Sequence, residues 1–161
     1  MSGFALKWIF VLDDDYAWPS GRTFAEDCAY DDSSGKRRLE IRSSGEIRVL
    51  KGYAWDGCTP KFAFWDICIG TPDGVPNAQT KKPKAYYASL LHDALYQFSI
   101  EGLPAPLNER REIDRIFLEI LARDGFAPRQ LYYWAVRLFG FLSFHLYTKR
   151  KRGYKGRKDA A

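Results

Sequence analysis

One histidine in this sequence stands near acidic and tyrosine residues at spacings that suit acid–base chemistry. His92 is followed directly by Asp93, and Tyr96 comes one helical turn later on the same face. Asp114 lies near the start of the next predicted helix, at the edge of its apolar stripe. If the two helices pack antiparallel, the Asp114 carboxylate comes close to the His92 imidazole. Such a pair can accept a proton from water near neutral pH.

A loop that contains glycines precedes these helices and suggests a bound cation. Residues 52–60 read GYAWDGCTP, and the glycines allow backbone carbonyls to point inward. Oxygen ligands of this kind suit a hard cation. We therefore expect a Ca²⁺ site in which Asp93, and with it Asp56, joins the loop carbonyls.

Together, the histidine and the cation predict ester hydrolysis. His92 would take a proton from a water that attacks an ester carbonyl. Asp114 would fix the histidine tautomer and stabilise the imidazolium, and Tyr96 would orient Asp114. The metal would stabilise the negative charge on the tetrahedral oxygen.

The order of these residues resembles the phospholipase A(2) superfamily, and most closely its cysteine-poor viral-capsid branch. The resemblance is carried by a Tyr-x-x-x-Gly loop at 53–57, a helical His-Asp-x-x-Tyr motif at 92–96 and the later helical Asp114. It implies His92 as the base, Asp93 as a Ca²⁺ ligand, and Tyr96 and Asp114 as the supporting pair. It also implies a calcium loop at 53–57, in which Trp55, Asp56 and Gly57 would hold the metal.

A second resemblance covers more of the chain, from about residue 36 to 148. It is carried by GYxxD at 52–56, ASLLHDALY at 88–96, LYYWAVRLFG at 131–140, and Arg111, Asp114 and Phe117 between the last two. These segments resemble an uncharacterised phage and prophage family, known as domain of unknown function 1353. The resemblance implies a phage or prophage origin and brings no established activity.

Three functions follow from these residues. The first is a phage-encoded, Ca²⁺-dependent lipid ester hydrolase of the phospholipase A(2) kind, with a His92–Asp114 dyad. The second is a noncatalytic phage accessory protein that binds a host protein, in which the His/Asp cluster only holds the fold. The third is a metal-dependent phosphoester hydrolase, in which Asp56, His92, Asp93 and Asp114 are all ligands; the small number of histidines disfavours zinc.

Other reactive residues give weaker indications of a functional site. Cys58 could act as a nucleophile, although a lone thiol is more often a small buried residue. Asp66 and Asp73 could add to a metal site, although aspartates in loops usually stabilise turns. His145 stands on an aromatic helix face and is expected to be packed. The three cysteines fit no zinc or redox spacing, which indicates a reducing compartment.

The net charge of +5 belongs to the C-terminal tail. Residues 149–161 hold seven of the 25 basic residues and one of the 20 acidic ones, and therefore carry +6, against −1 for residues 1–148. We expect a disordered tail in which Lys149, Arg150, Lys151 and Arg152 bind an anionic membrane, or else nucleic acid without sequence preference. The expected location is the host cytoplasm, with the inner face of the membrane and the virion as alternatives.

The stretch 131–147, just before this tail, is nearly all apolar. A helix needs about 20 residues to span a bilayer, and this stretch is shorter, so a core helix is the first interpretation. The alternative is a helix that lies in the membrane interface, with its aromatic residues at the acyl boundary. That alternative would suit an enzyme whose substrate is a lipid.

The elements that must position these residues are predicted to form one α+β domain over residues 1–148. At 161 residues and 46% hydrophobic, the chain has enough apolar material for a single core. We expect a strand at 4–12, an irregular polar stretch at 13–34, a hairpin at 36–53 and a long ordered loop at 52–83. Helical periodicity then predicts three helices, the first two of them antiparallel, with His92 facing Asp114.

Overall fold

The strands and helices follow one another in the order predicted for an α+β protein. The structure is a computed structural model that describes residues 10–55 and 76–138. The strands in these ranges are β1 (Phe10–Val11), β2 (Tyr16–Pro19), β3 (Cys28–Asp31), β4 (Arg37–Ile41), β5 (Glu46–Val49) and β6 (Ala54–Trp55). The helices are α1 (Tyr86–Phe98), a 3₁₀ turn (Ser99–Glu101), α2 (Arg110–Arg123) and α3, which is described over 129–138. The predicted α+β class with three helices is confirmed.

Four of the strands form one antiparallel sheet around the predicted hairpin. The strand order is β2-β5-β4-β3, and the hairpin β4–β5 lies at its centre. Leu39 pairs with Val49, and Ile41 pairs with Ile47. All four side chains are fully buried, as strict alternation predicts for a sheet with one face on the core.

The turn of this hairpin requires its glycine. Gly45 has a φ of +98°, which side chains rarely allow. A Cβ at this position would also lie 2.0 Å from the carbonyl oxygen of Arg22. The Gly45 carbonyl accepts hydrogen bonds from the backbone N–H and the hydroxyl of Ser20, at 3.0 and 2.6 Å. The turn is therefore tied to the segment that follows β2.

The expectation of an irregular stretch at 13–34 is wrong, because β2 and β3 both lie within it. Each strand is four residues long and buries one aromatic side chain, Trp18 in β2 and Tyr30 in β3. Strands this short, with one buried residue each, show too little alternation to be predicted from sequence. These two segments form strands because they pair with the central hairpin, and their local sequence does not indicate this pairing.

The first and last strands form a separate two-stranded sheet. β1 pairs antiparallel with β6, so that Phe10 lies opposite Trp55. The predicted strand 4–12 is thus described only at its end. The predicted long loop begins with β6, and residues 76–83 form a turn closed by a bridge between Pro76 and Pro83. Residues 56–75 of that loop, and the tail at 149–161, lie outside the described residues.

The first two helices pack against each other in opposite directions. Tyr96, near the end of α1, contacts Arg110 at the start of α2 through a 2.7 Å hydrogen bond. One turn earlier on α1, the ring of His92 lies 5.0 Å from that of Phe117, further along α2. Later residues of α1 thus lie beside earlier residues of α2, so the two helices are antiparallel, as predicted.

The core lies where α1 meets the sheet and α2. Eight of the 13 residues of α1 are buried. The indole of Trp55 donates a hydrogen bond to the Ser89 hydroxyl at 3.1 Å, and the ring of Tyr30 packs 5.7 Å from that of Phe98. α1 therefore has one side held by strands, while another side faces α2.

A pair of leucine substitutions tests this assignment of the core. Leu39→Ala should lower the free energy of unfolding by about 2–5 kcal/mol, because the side chain is fully buried. Leu131→Ala, at a residue that is 60% exposed, should change it by less than about 0.5 kcal/mol. Urea unfolding of the two variants measures both values. Equal effects would contradict the assignment of Leu39 to the core and of Leu131 to the surface.

Candidate active site

The candidate site is built where α1 and α2 cross. His92 and Tyr96 are four residues apart on α1, so their side chains lie on one face, and their rings are 4.2 Å apart. Asp114 lies in the second turn of α2, next to the buried Ile113. The apolar stripes of the two helices bring these three polar side chains together at one edge of the helix pair.

Asp114 accepts hydrogen bonds from His92 and Tyr96 of α1. Its Oδ1 lies 2.9 Å from Nε2 of His92 and 2.7 Å from the hydroxyl of Tyr96. The carboxylate has no solvent exposure, and the His92 side chain is only 10% exposed. The structure thus brings together the three residues that the sequence predicts as catalytic.

Two arginines complete the surroundings of the carboxylate. Arg137 of α3 donates from Nη1 to Oδ2 of Asp114 at 3.0 Å. Arg110 lies one turn before Asp114, with its Nε 3.6 Å from the same oxygen and 2.7 Å from the Tyr96 hydroxyl. Arg110 also donates to the backbone carbonyls of Val136 and Arg137. Through these contacts, one buried carboxylate joins α1, α2 and α3.

The electrostatics of this cluster keep Asp114 ionised. Burial raises the pKa of its carboxyl, but the hydrogen bond and charge of His92, then the hydrogen bonds of Tyr96 and Arg137, lower it more. The net pKa lies below the usual aspartate value. Burial and the neighbouring Asp114 charge raise the pKa of the Tyr96 phenol well above its ordinary value, so Tyr96 remains a donor.

An ionised Asp114 determines which nitrogen of His92 carries the proton. A carboxylate only accepts hydrogen bonds, so the nitrogen that faces it, Nε2, must be the protonated one. In the neutral ring, Nδ1 then holds the lone pair, and it forms no hydrogen bond with any other described residue. This is the state that a general base requires.

A second charged cluster fixes α2 against the sheet. Arg22 follows β2 and donates to Glu112 at 2.6 Å and to Glu119 at 2.9 and 3.0 Å. Glu112 and Glu119 flank Asp114 and Ile116 along α2. Because Arg22 is mostly buried, this bridge limits how far the helix that carries Asp114 can move.

The predicted metal ligands are only partly described. Asp93 is half-buried on α1, directly after His92. Trp55 is buried in β6, and the neighbouring Tyr53 carbonyl accepts the backbone N–H of Leu12 at 2.8 Å. Other predicted site residues lie outside the described residues, namely Asp56, Gly57, Cys58, Asp66, Asp73, His145 and the basic residues of the tail. The Ca²⁺ site therefore stays a prediction.

The sequence reasoning missed the two arginines that bind the site. The second family resemblance points to Arg111 together with Asp114, whereas in the structure Arg110 makes the contacts. Two signals could have found the pair: the spacing of four residues between Arg110 and Asp114, and the isolated charge of Arg137 in an apolar helix.

Neither the described residues nor the comparisons with known proteins add a further constraint on the site. Residues 10–55 and 76–138 contain no group of three His, Cys, Asp or Glu side chains that could hold a metal. In the same ranges, no helix is long and apolar enough to cross a membrane. No family model, curated protein or solved structure matches the chain. The two family resemblances therefore stay predictions.

The pH dependence of stability tests the charge of Asp114. Because folding lowers its pKa, Asp114 contributes stability above its unfolded pKa of about 4, and this contribution disappears as the pH falls through the folded pKa. Asp114→Asn should lower the free energy of unfolding by roughly 3–5 kcal/mol at pH 7, since it leaves Arg137 without its anionic partner.

The difference between the two proteins should shrink from about pH 4 downward, because Asp114 of the unfolded wild type takes up a proton there, while the folded carboxylate stays ionised until the pH reaches its lowered pKa. Urea unfolding between pH 3 and pH 7 measures it. A difference that stays constant over this range would show that Asp114 is not the charged group described.

Proposed function

We propose that this protein is a Ca²⁺-dependent ester hydrolase of the phospholipase A(2) kind, which cleaves an ester in lipid. The observation that carries the proposal is the 2.9 Å contact between Nε2 of His92 and the buried, ionised Asp114. A histidine held in this way is oriented as in hydrolase triads, where an acid fixes the tautomer of the base.

Each residue of the cluster around Asp114 then has one role in the reaction. Nδ1 of His92 takes a proton from a water as that water attacks the ester carbonyl. Asp114 stabilises the resulting imidazolium through Nε2–H, without taking the proton itself. Tyr96 and Arg137 hold the carboxylate in place at 2.7 and 3.0 Å. The histidine later returns the proton to the leaving alcohol.

Ca²⁺ would supply the positive charge that stabilises the oxyanion. Asp93 would hold it together with oxygen atoms of Trp55, Asp56 and Gly57. The carboxylate of Asp93, directly after His92 in the sequence, is a hard oxygen ligand of the kind that Ca²⁺ prefers. The buried dyad residue Asp114 has both of its oxygens engaged by other donors, which favours a supporting role over metal ligation.

A second candidate function is a noncatalytic phage accessory protein that binds a host protein. The observation in its favour is that Asp114 joins all three helices and is saturated by donors. A cluster of this kind can exist for stability alone. The two functions differ in whether His92 is needed for more than folding.

Hydrolysis of labelled phospholipid vesicles separates the two functions. We expect the full chain to release fatty acid in Ca²⁺ and to release none in EDTA. His92→Gln should lower the rate by about 100- to 10,000-fold, since its amide can still donate to Asp114 but cannot act as a base. The other histidine gives the matched control, and His145→Gln should hydrolyse at the wild-type rate.

The melting temperature of each variant shows whether a loss of rate is a loss of fold. Full activity in a folded His92→Gln variant would contradict the proposal. Absence of release by the folded wild type in Ca²⁺ would also contradict it, and would favour the accessory protein.

A further inference from the structure

Three large apolar side chains stand on one exposed face of α3. Leu131 is 60% exposed, Trp134 58% and Leu138 66%, and they are three of the four exposed large hydrophobic residues in the described part of the chain. Their spacing of three and four residues places them on one face of the helix. The opposite face bears Tyr132 and Val136, which pack against the core. A contiguous exposed apolar face of this kind marks an interaction site.

The sequence after α3 supplies the charge that indicates what this face binds. Leu138 is followed by ten residues that include three phenylalanines, and then by the run 149–158, which contains seven basic residues and no acidic one. An apolar helix face that includes a tryptophan, followed in the sequence by a basic run, is typical of segments that bind the headgroup region of anionic membranes. A second copy of this chain would bring the same positive run and be repelled.

We propose that the α3 face of Leu131, Trp134 and Leu138 docks on an anionic lipid surface, assisted by the basic run 149–158. This proposal rests on the proposed function, because a lipid hydrolase must reach its substrate at a bilayer. The same helix carries Arg137, whose guanidinium binds Asp114 at 3.0 Å. Docking through α3 would therefore bring the bilayer next to the catalytic dyad.

Sedimentation with vesicles tests the docking face without any need for hydrolysis. The full chain is mixed in EDTA with vesicles of phosphatidylglycerol and phosphatidylcholine, or of phosphatidylcholine alone. We expect binding to the anionic vesicles that weakens as salt is added. The double variant Leu131→Ser/Leu138→Ser should bind them about 10-fold or more weakly, because two exposed apolar anchors are lost.

A matched control and a charge variant accompany this pair. Val11 is 53% exposed on β1 and is not part of the α3 face, so Val11→Ser should bind as the wild type does. Replacing Lys149, Arg150, Lys151 and Arg152 by Gln should weaken binding to anionic vesicles by about 100- to 1,000-fold. Far-UV circular dichroism checks that each variant is folded.

Several results would overturn the docking proposal. These are wild-type affinity in the folded leucine variant, equal binding to both kinds of vesicle, and tight binding to duplex DNA without binding to vesicles. Self-association that the leucine substitutions abolish would also overturn it and assign the face to a second copy. Failure of the proposed function is a different result, because His92→Gln should bind vesicles normally whether or not the wild type hydrolyses them.

Discussion

The whole site depends on one buried negative charge. Asp114 has no exposure to solvent, and such a carboxylate is costly unless donors surround it. His92 and Tyr96 of α1 and Arg137 of α3 donate hydrogen bonds to it. Arg110 of α2 adds a positive charge, with its Nε 3.6 Å from Oδ2 of the carboxylate. Because each donor comes from a defined position on a helix, the requirement to satisfy Asp114 also sets how the three helices sit against one another.

The same requirement links stability to the proposed chemistry. Donors that keep Asp114 ionised also require His92 to face it with Nε2–H, and this leaves Nδ1 as the basic nitrogen. Arg22 adds a second fixed point, since its contacts with Glu112 and Glu119 hold α2 to the sheet side of the protein. Two sets of contacts therefore position the dyad: those that Asp114 makes among the three helices, and those that Arg22, in the segment after β2, makes with α2.

Much of this arrangement could be predicted because it is local in sequence. Helical periodicity placed α1 and α2, and the spacing of His92 and Tyr96 put both side chains on one face. Their meeting with Asp114 followed from antiparallel packing of two adjacent helices. The β4–β5 hairpin was equally clear from its alternation.

The parts that sequence reasoning missed depend on contacts between distant residues. β2 and β3 each bury a single aromatic residue, and they become strands only by pairing with the hairpin. Arg137 lies 23 residues from the carboxylate that it binds, so its role is invisible without the packing of α3. Local pattern carries no information on such partners.

The tautomer of the His92 ring tests the central claim most directly. Long-range ¹⁵N–¹H correlation spectra, recorded where the ring is neutral and assigned with His145→Gln, report which nitrogen carries the proton. The structure predicts the Nε2–H tautomer for His92, and predicts that Asp114→Asn weakens this preference, because an amide can donate as well as accept. A His92 ring that is predominantly Nδ1–H in the wild type would contradict the account.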